Sequence, residues 1–132
     1  LAAPMARLLG HSHYVPLGYS RKFWYDESLS QPVSSITTPQ PGKRVYLDPN
    51  LVPRLAGRRV VVADDTISTG TTAAAVVRLL QEAGADPVGL VFAMCQGDAW
   101  RALLPPPWSE QVRWVFRSPL LRAVAGGWVV DG

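Results

Sequence analysis

Apolar residues recur at helical spacing over residues 1–9 and again, more densely, over residues 71–83. The first run predicts a helix packed on the core and ended by Gly10, with Pro4 tolerated in the first turn. The second predicts a helix closed by Gly84, with Ala73, Val76, Val77 and Leu80 on its buried face. Residues 60–63 and 87–94 are continuous apolar runs bounded by turn residues, the pattern of buried strands in a parallel sheet. Residues 112–116 alternate as a further strand, and residues 13–18 read as a strand end. Residues 33–38 and 43–47 are rich in β-formers and are separated by Pro-Gln-Pro-Gly, which predicts a two-stranded ribbon. The whole excursion, residues 19–47, is too long for an ordinary connection and has the length of a lid or flap. Asp48-Pro49 should open a short helical turn reaching Leu55. Asp98 should cap another reaching Leu104, stopped by Pro105, Pro106 and Pro107. The tail beyond Ser118 reads as a loop with one helical turn.

A strand–helix–strand alternation over residues 58–94 implies a right-handed βαβ unit. Ligands of such sheets bind beyond the carboxyl ends of the strands, where residues 64–72 must lie. That stretch closes the run V-V-V-A-D-D-T-I-S-T-G-T-T. The turn around Gly70 can offer several backbone N–H groups and a helix dipole to an anion. Asp64 and Asp65 cannot favour the same anion; they suit the hydroxyls of a sugar, or a metal. A ligand bearing both a phosphate and a diol accounts for both halves. A Walker-type phosphate loop is excluded, because no lysine follows the glycine.

Composition narrows the class. The chain has 132 residues, 48% of them apolar and 17% charged, which fits one globular domain. Its one cysteine, Cys95, allows no internal disulfide and suits a reducing cytoplasm; it is expected to pack at a strand end. No apolar run reaches membrane-spanning length, so no membrane partner is expected. The net charge of +3 is uneven: residues 1–59 carry eight basic and three acidic side chains, residues 60–132 five and seven. The first half could therefore face an anion. No dense Lys/Arg run is present, so nucleic acid is not the expected partner. His11 and His13 lack further ligands nearby and read as solvated.

The thirteen-residue run resembles the phosphoribosyl-pyrophosphate (PRPP) motif of the type I phosphoribosyltransferases. It departs only at Thr66, where an aliphatic residue is usual. The segment Y-V-P-L-G-Y-S-R-K is similar to the stretch of the orotate and adenine enzymes where a core strand runs into a flexible catalytic loop. The resemblance covers roughly residues 1–95. It implies an α/β fold: a mostly parallel sheet flanked by helices, a flexible flap at about 19–47, and a small C-terminal hood. It also implies a single domain over residues 1–132. The family's second, pyrophosphate-binding loop and the strand before it would precede Leu1, so the chain is expected to belong to something longer or to have lost turnover.

The resemblance implies roles residue by residue. Asp64 and Asp65 would bind the ribose hydroxyls and touch Mg2+, the implied cofactor. Ser68, Thr69, Gly70, Thr71 and Thr72 would hold the 5′-phosphate. Asp65, Arg21 and Lys22 are the implied catalytic set, the two cations covering the departing pyrophosphate, with Lys43 and Arg44 as further candidates. Trp128, in G-W-V-V-D, would stack on the base; Trp24, Tyr25 and Trp100 are weaker candidates. The implied reaction is Mg2+-dependent transfer of 5-phosphoribosyl from PRPP to a nitrogenous base, a purine slightly favoured. The expected partners are PRPP and a nucleobase, with a homodimer kept open. Two rivals stand beside it: a PRPP-binding regulatory module without catalysis, and a nucleic-acid-binding regulator using the basic first half.

Overall fold

A computed structural model describes residues 1–33 and 42–131. Its centre is a parallel three-stranded sheet, β4 (Arg59–Ile67), β5 (Asp86–Gln96) and β6 (Val112–Ser118), in the order β4-β5-β6. Helix α2 (Thr71–Glu82) makes the crossover from β4 to β5. It buries Ala73, Ala75, Val76, Val77, Leu79 and Leu80, which include all four positions expected on its inner face. Each fully buried Leu or Val contributes about 1.5–3 kcal/mol. β5 is longer than the run 87–94 because pairing with β4 and β6 carries it on through Gln96.

The antiparallel part of the molecule lies earlier in the chain. β1 (Leu17–Gly18), β2 (Ser30–Pro32) and β3 (Arg44–Leu47) form a sheet in the order β1-β3-β2. Leu17 faces Leu47, and Gln31 faces Val45. The ribbon expected within the excursion therefore pairs three residues upstream of the predicted strand. Residues 34–38 of that strand lie outside the described residues. β3 is no flap: Val45, Tyr46 and Leu47 are buried. The later end of the excursion is thus held in the core, and of its described part residues 19–29, 33, 42 and 43 lie outside the strands.

Two apolar clusters form, and α2 contributes to both. One joins Val33, Val45, Leu47 and Leu55 to Val76, Leu79 and Leu80, with Val60 and Val62 packed on it. The other joins Ile67, Leu90, Phe92, Cys95, Trp100, Leu104 and Val112 to Ala73 and Val77. Cys95 packs at the end of β5, as expected. Asp48 accepts a hydrogen bond from the Asn50 N–H and opens a 3-10 turn over Pro49–Arg54, also as expected.

Three expectations are corrected. Helix α1 (Ala2–Leu8) forms, but none of its residues is buried, and Leu8 and Leu9 face outward. Periodicity marked an apolar face, and its residues Ala2, Ala3, Met5 and Ala6 are only half-buried. Asp98 sits at the N-cap position of the 3-10 turn Ala99–Ala102 without capping it. Its carboxylate instead pairs with Arg117 at 2.6 Å and Arg101 at 3.4 Å, which hold its pKa below the usual value. The tail is no loop: β7 (Leu120–Val124) and β8 (Gly127–Asp131) form an antiparallel hairpin around Ala125-Gly126, exposed along its whole length. Its Leu and Val content is what a strand needs. No helix of the described residues is long and apolar enough to cross a membrane.

Candidate functional site

β4 runs two turns of the pleat further than the apolar residues 60–63 suggested, so Asp64, Asp65 and Thr66 are strand residues. The correction has a simple cause: pairing with Phe92 and Met94 of β5 supports the polar end of the strand. The chain leaves β4 at Ile67, bends through Ser68 and Thr69, and enters α2 at Gly70. Gly70 has φ of 82°, in the left-handed region that favours glycine. A Cβ there would also lie 2.9 Å from the Trp100 Cα and Cβ. Backbone geometry and packing therefore both require glycine at this one place. Trp100 is the fully buried wall that the turn rests against. This removes it from the base-stacking candidates.

The first turn of α2 is open to an anion. Gly70 supplies no side-chain cap, and the first turn holds no acidic residue. The Thr69 and Thr71 hydroxyls lie 3.0 Å apart, and the Thr71 N–H reaches Thr69 Oγ1 only at 3.5 Å. The helix N–H groups there keep their capacity to donate outward. A cavity of about 230 Å³ opens in front of them, lined by Asp64, Thr66, Ile67, Ser68, Thr69, Gly70, Thr71, Thr72, Ala73, Phe92 and Gln96. It lies beyond the carboxyl ends of β4 and β5, as the topology requires. Ligand pockets usually span ~300–1,000 Å³. This one is smaller, so a larger ligand would lie partly outside it.

The two acids are not equivalent. Asp64 is half-buried and lines the cavity; Asp65 is exposed and does not. Asp64 Oδ1 accepts the Asp65 N–H at 2.9 Å. Burial pushes the Asp64 carboxyl above its usual pKa; that hydrogen bond opposes the shift, and the Asp65 charge adds to it. Bound hydroxyls or a cation would relieve this load.

Tyr19 is the residue that sequence reasoning missed. Its phenol is half-exposed just past β1, yet its neighbours are site residues: burial raises its pKa, the Thr72 hydroxyl lowers it by hydrogen bonding, and the charges of Asp64 and Asp65 raise it. Lys43 Nζ lies 4.2 Å from the centroid of its ring. Gln96, at the end of β5, was missed as well. Its one available signal was its place at the carboxyl end of a central strand.

The remaining candidates lie elsewhere. Arg21 pairs with Glu27 at 2.8 Å. Arg44 donates to Ser30 Oγ at 2.8 Å and approaches Glu27 at 3.7 Å. Neither Arg21 nor Lys22 lines the cavity. Trp24 donates to Asp48 Oδ2 at 3.2 Å and stands edge-on between Phe23 and Tyr25. Tyr25 leans on Tyr46. Trp128 projects from β8, 69% exposed, and is not part of the cavity wall. His11 and His13 are exposed, and among the described residues no cluster of three or more His, Cys, Asp or Glu could hold a metal.

A parallel α/β sheet whose crossover helix begins in an open, glycine-dependent turn, beside a half-buried carboxylate, defines an α/β domain with an anion-accepting turn at the carboxyl end of its sheet. The sequence places it more narrowly: residues 1–109 match the model of the phosphoribosyl transferase domain, and the chain belongs to that family. It is similar to adenine phosphoribosyltransferase from Mycobacteroides abscessus, 46% identical over 55 residues, which is 40% of this chain and 31% of that protein. A hypoxanthine/guanine phosphoribosyltransferase from Methanococcus voltae is 35% identical over 98 residues, 74% of this chain and 50% of its own length. Among solved structures, adenine phosphoribosyltransferase from Rhodothermus marinus superposes with a TM-score of 0.70 at 25% identity. That match covers 88% of this chain and 61% of the solved one. The chain thus spans less than two thirds of each of these relatives. The type I phosphoribosyltransferase fold expected from the motif is the fold observed.

Proposed function

We propose that this domain transfers a 5-phosphoribosyl group from PRPP to a nitrogenous base, with a purine favoured, releasing pyrophosphate. The cavity at the head of α2 carries the reading, because it joins an anion site to a half-buried carboxylate. The names of the adenine and hypoxanthine/guanine relatives support the purine preference. The first turn of α2, with Ser68, Thr69, Thr71 and Thr72, would grip the 5′-phosphate. Asp64 would accept hydrogen bonds from the ribose hydroxyls, and Asp65 would assist from the outer side.

The two carboxylates fit Mg2+: both offer hard oxygen donors, and their mutual repulsion favours a cation between them and the ligand. A bound Mg2+ would offset negative charge on the leaving pyrophosphate. With no larger ligand cluster among the described residues, substrate oxygens and water would complete its shell. Arg21 and Lys22 would supply further positive charge once Arg21 leaves Glu27. Trp128 is retained as the base-stacking residue, because its ring is free. A cytoplasmic setting accords with the single cysteine.

Pyrophosphate release with PRPP, Mg2+ and a panel of purines and pyrimidines tests the reading. Turnover with one base class is expected; absence of both turnover and PRPP binding would end it. The position of Arg21 and Lys22 outside the cavity wall favours a second reading, a PRPP-binding module that does not turn over. Saturable PRPP binding without pyrophosphate release on any base would select it.

A further inference from the structure

The antiparallel sheet brings two residues to the sugar-phosphate turn that no motif connects. β1 and β3 run in opposite directions, with Gly18 opposite Tyr46. Tyr19 follows the end of β1, and Lys43 precedes the start of β3, so the two meet at one end of the sheet. Both are anchored in the backbone: Gly18 pairs in register with buried Tyr46, and the Lys43 carbonyl accepts the Val33 N–H at 2.9 Å. The Lys43 ammonium stands 4.2 Å from the Tyr19 ring centroid, within cation–π range. At its other end the Tyr19 phenol faces the Thr72 hydroxyl, near enough to the Asp64 and Asp65 carboxylates to feel their charge.

Among the described residues Lys43 ion-pairs with no carboxylate, whereas the neighbouring Arg44 is committed to Ser30 and Glu27. Neither residue lines the cavity, but a lysine held on a ring whose phenol faces Thr72 of its wall has a charge to spend outside it. The cavity itself suits only the sugar-phosphate end of PRPP.

We infer that Tyr19 is a positioning residue: its ring holds the Lys43 ammonium where the pyrophosphate arm of PRPP leaves the cavity, while its hydroxyl abuts the Thr72 end of the phosphate turn. The inference rests on the phosphoribosyl reading and refines it. Lys43 then discriminates PRPP from ribose 5-phosphate, which lacks that arm. Tyr19 contributes to this discrimination only through Lys43.

The test is a double-mutant cycle read by calorimetric titration of PRPP and of ribose 5-phosphate, with thermal melts as the fold control. Lys43→Gln should weaken PRPP about tenfold and ribose 5-phosphate less than about twofold. Tyr19→Leu should lose about three- to fivefold of the PRPP preference, and Lys43→Gln should cost correspondingly less in that background. Tyr19→Phe, which keeps the ring, should preserve the full Lys43 effect. Equal losses for both ligands on Lys43→Gln would show that lysine merely balancing the two acids, and would overturn the inference. So would losses from Tyr19→Leu and Lys43→Gln that simply multiply. If the unsubstituted protein binds PRPP and the cycle shows no coupling, this inference fails alone; if it binds neither ligand, the phosphoribosyl reading fails with it.

Discussion

The turn after β4 and the segment after β1 begin at strand ends and carry the polar candidates of this chain, but they are built differently. The first is fixed by backbone. Gly70 adopts a left-handed φ, Trp100 leaves no room for a Cβ on it, and α2 starts without a side-chain cap. The second is fixed by side chains that satisfy one another. Arg21 pairs with Glu27, Asp26 accepts the Ser28 N–H, and Phe23, Trp24 and Tyr25 pack in successive T-shaped pairs. A binding surface made of main-chain N–H groups is ready before any ligand comes. A set of exposed cations must first exchange its present partners, at little energetic cost, since exposed ion pairs contribute only ~0–1 kcal/mol.

Substitutions can break this contrast. The largest effect is expected for Gly70→Ala. The added Cβ meets Trp100 backbone, and the left-handed φ costs about 1–3 kcal/mol for a non-glycine residue. PRPP affinity should fall by about a hundredfold or more, with a lowered melting temperature, as titration and thermal melts would show. An unchanged affinity would mean that the turn tolerates a different path and is not fixed by its backbone.

Next come the two acids. Asp64→Asn should weaken PRPP binding more than Asp65→Asn, because only Asp64 lines the cavity; both folds should survive. The pH response of stability sharpens the point. The Asp64 pKa is raised in the folded state, so the native protein holds its proton longer than the unfolded chain does. Stability from this group should therefore fall as pH rises through the carboxylate range, and Asp64→Asn should flatten that slope in melts.

The smallest effect belongs to the other segment. Asp26 is held below its usual pKa by the Ser28 N–H, so its contribution has the opposite sign: present above the unfolded pKa and lost as pH falls through the folded one. Asp26→Asn keeps an acceptor at that position. It should leave PRPP affinity unchanged and alter only the acid limb of the stability curve, slightly.

The same contrast explains what could be read from residues alone. The β4–α2–β5 unit announced itself because its periods switch cleanly, from a continuous apolar run to helical spacing and back. Gly70 was legible as a turn glycine because such a strand-to-helix turn has few alternatives. The inequality of Asp64 and Asp65 was not, because two adjacent acids looked like the end of a strand that in fact continues. Tyr19 was invisible: only the pairing of β1 with β3 brings it to Lys43, and nothing local encodes that meeting. The hairpin of β7 and β8 was read as a loop because Gly126-Gly127 and Pro119 outweighed its Leu and Val residues. For α1, spacing revealed an apolar stripe but said nothing of what would cover it.

Both apolar clusters lean on the same helix, and that helix begins at the cavity. A ligand seated there grips the helix that gives buried residues to both halves of the interior. At a hundredfold excess over its dissociation constant it would add about 2.7 kcal/mol to the resistance of the fold as a whole. A melting curve that shifts upward as a single step would report occupancy even for a base or sugar phosphate that the protein never converts.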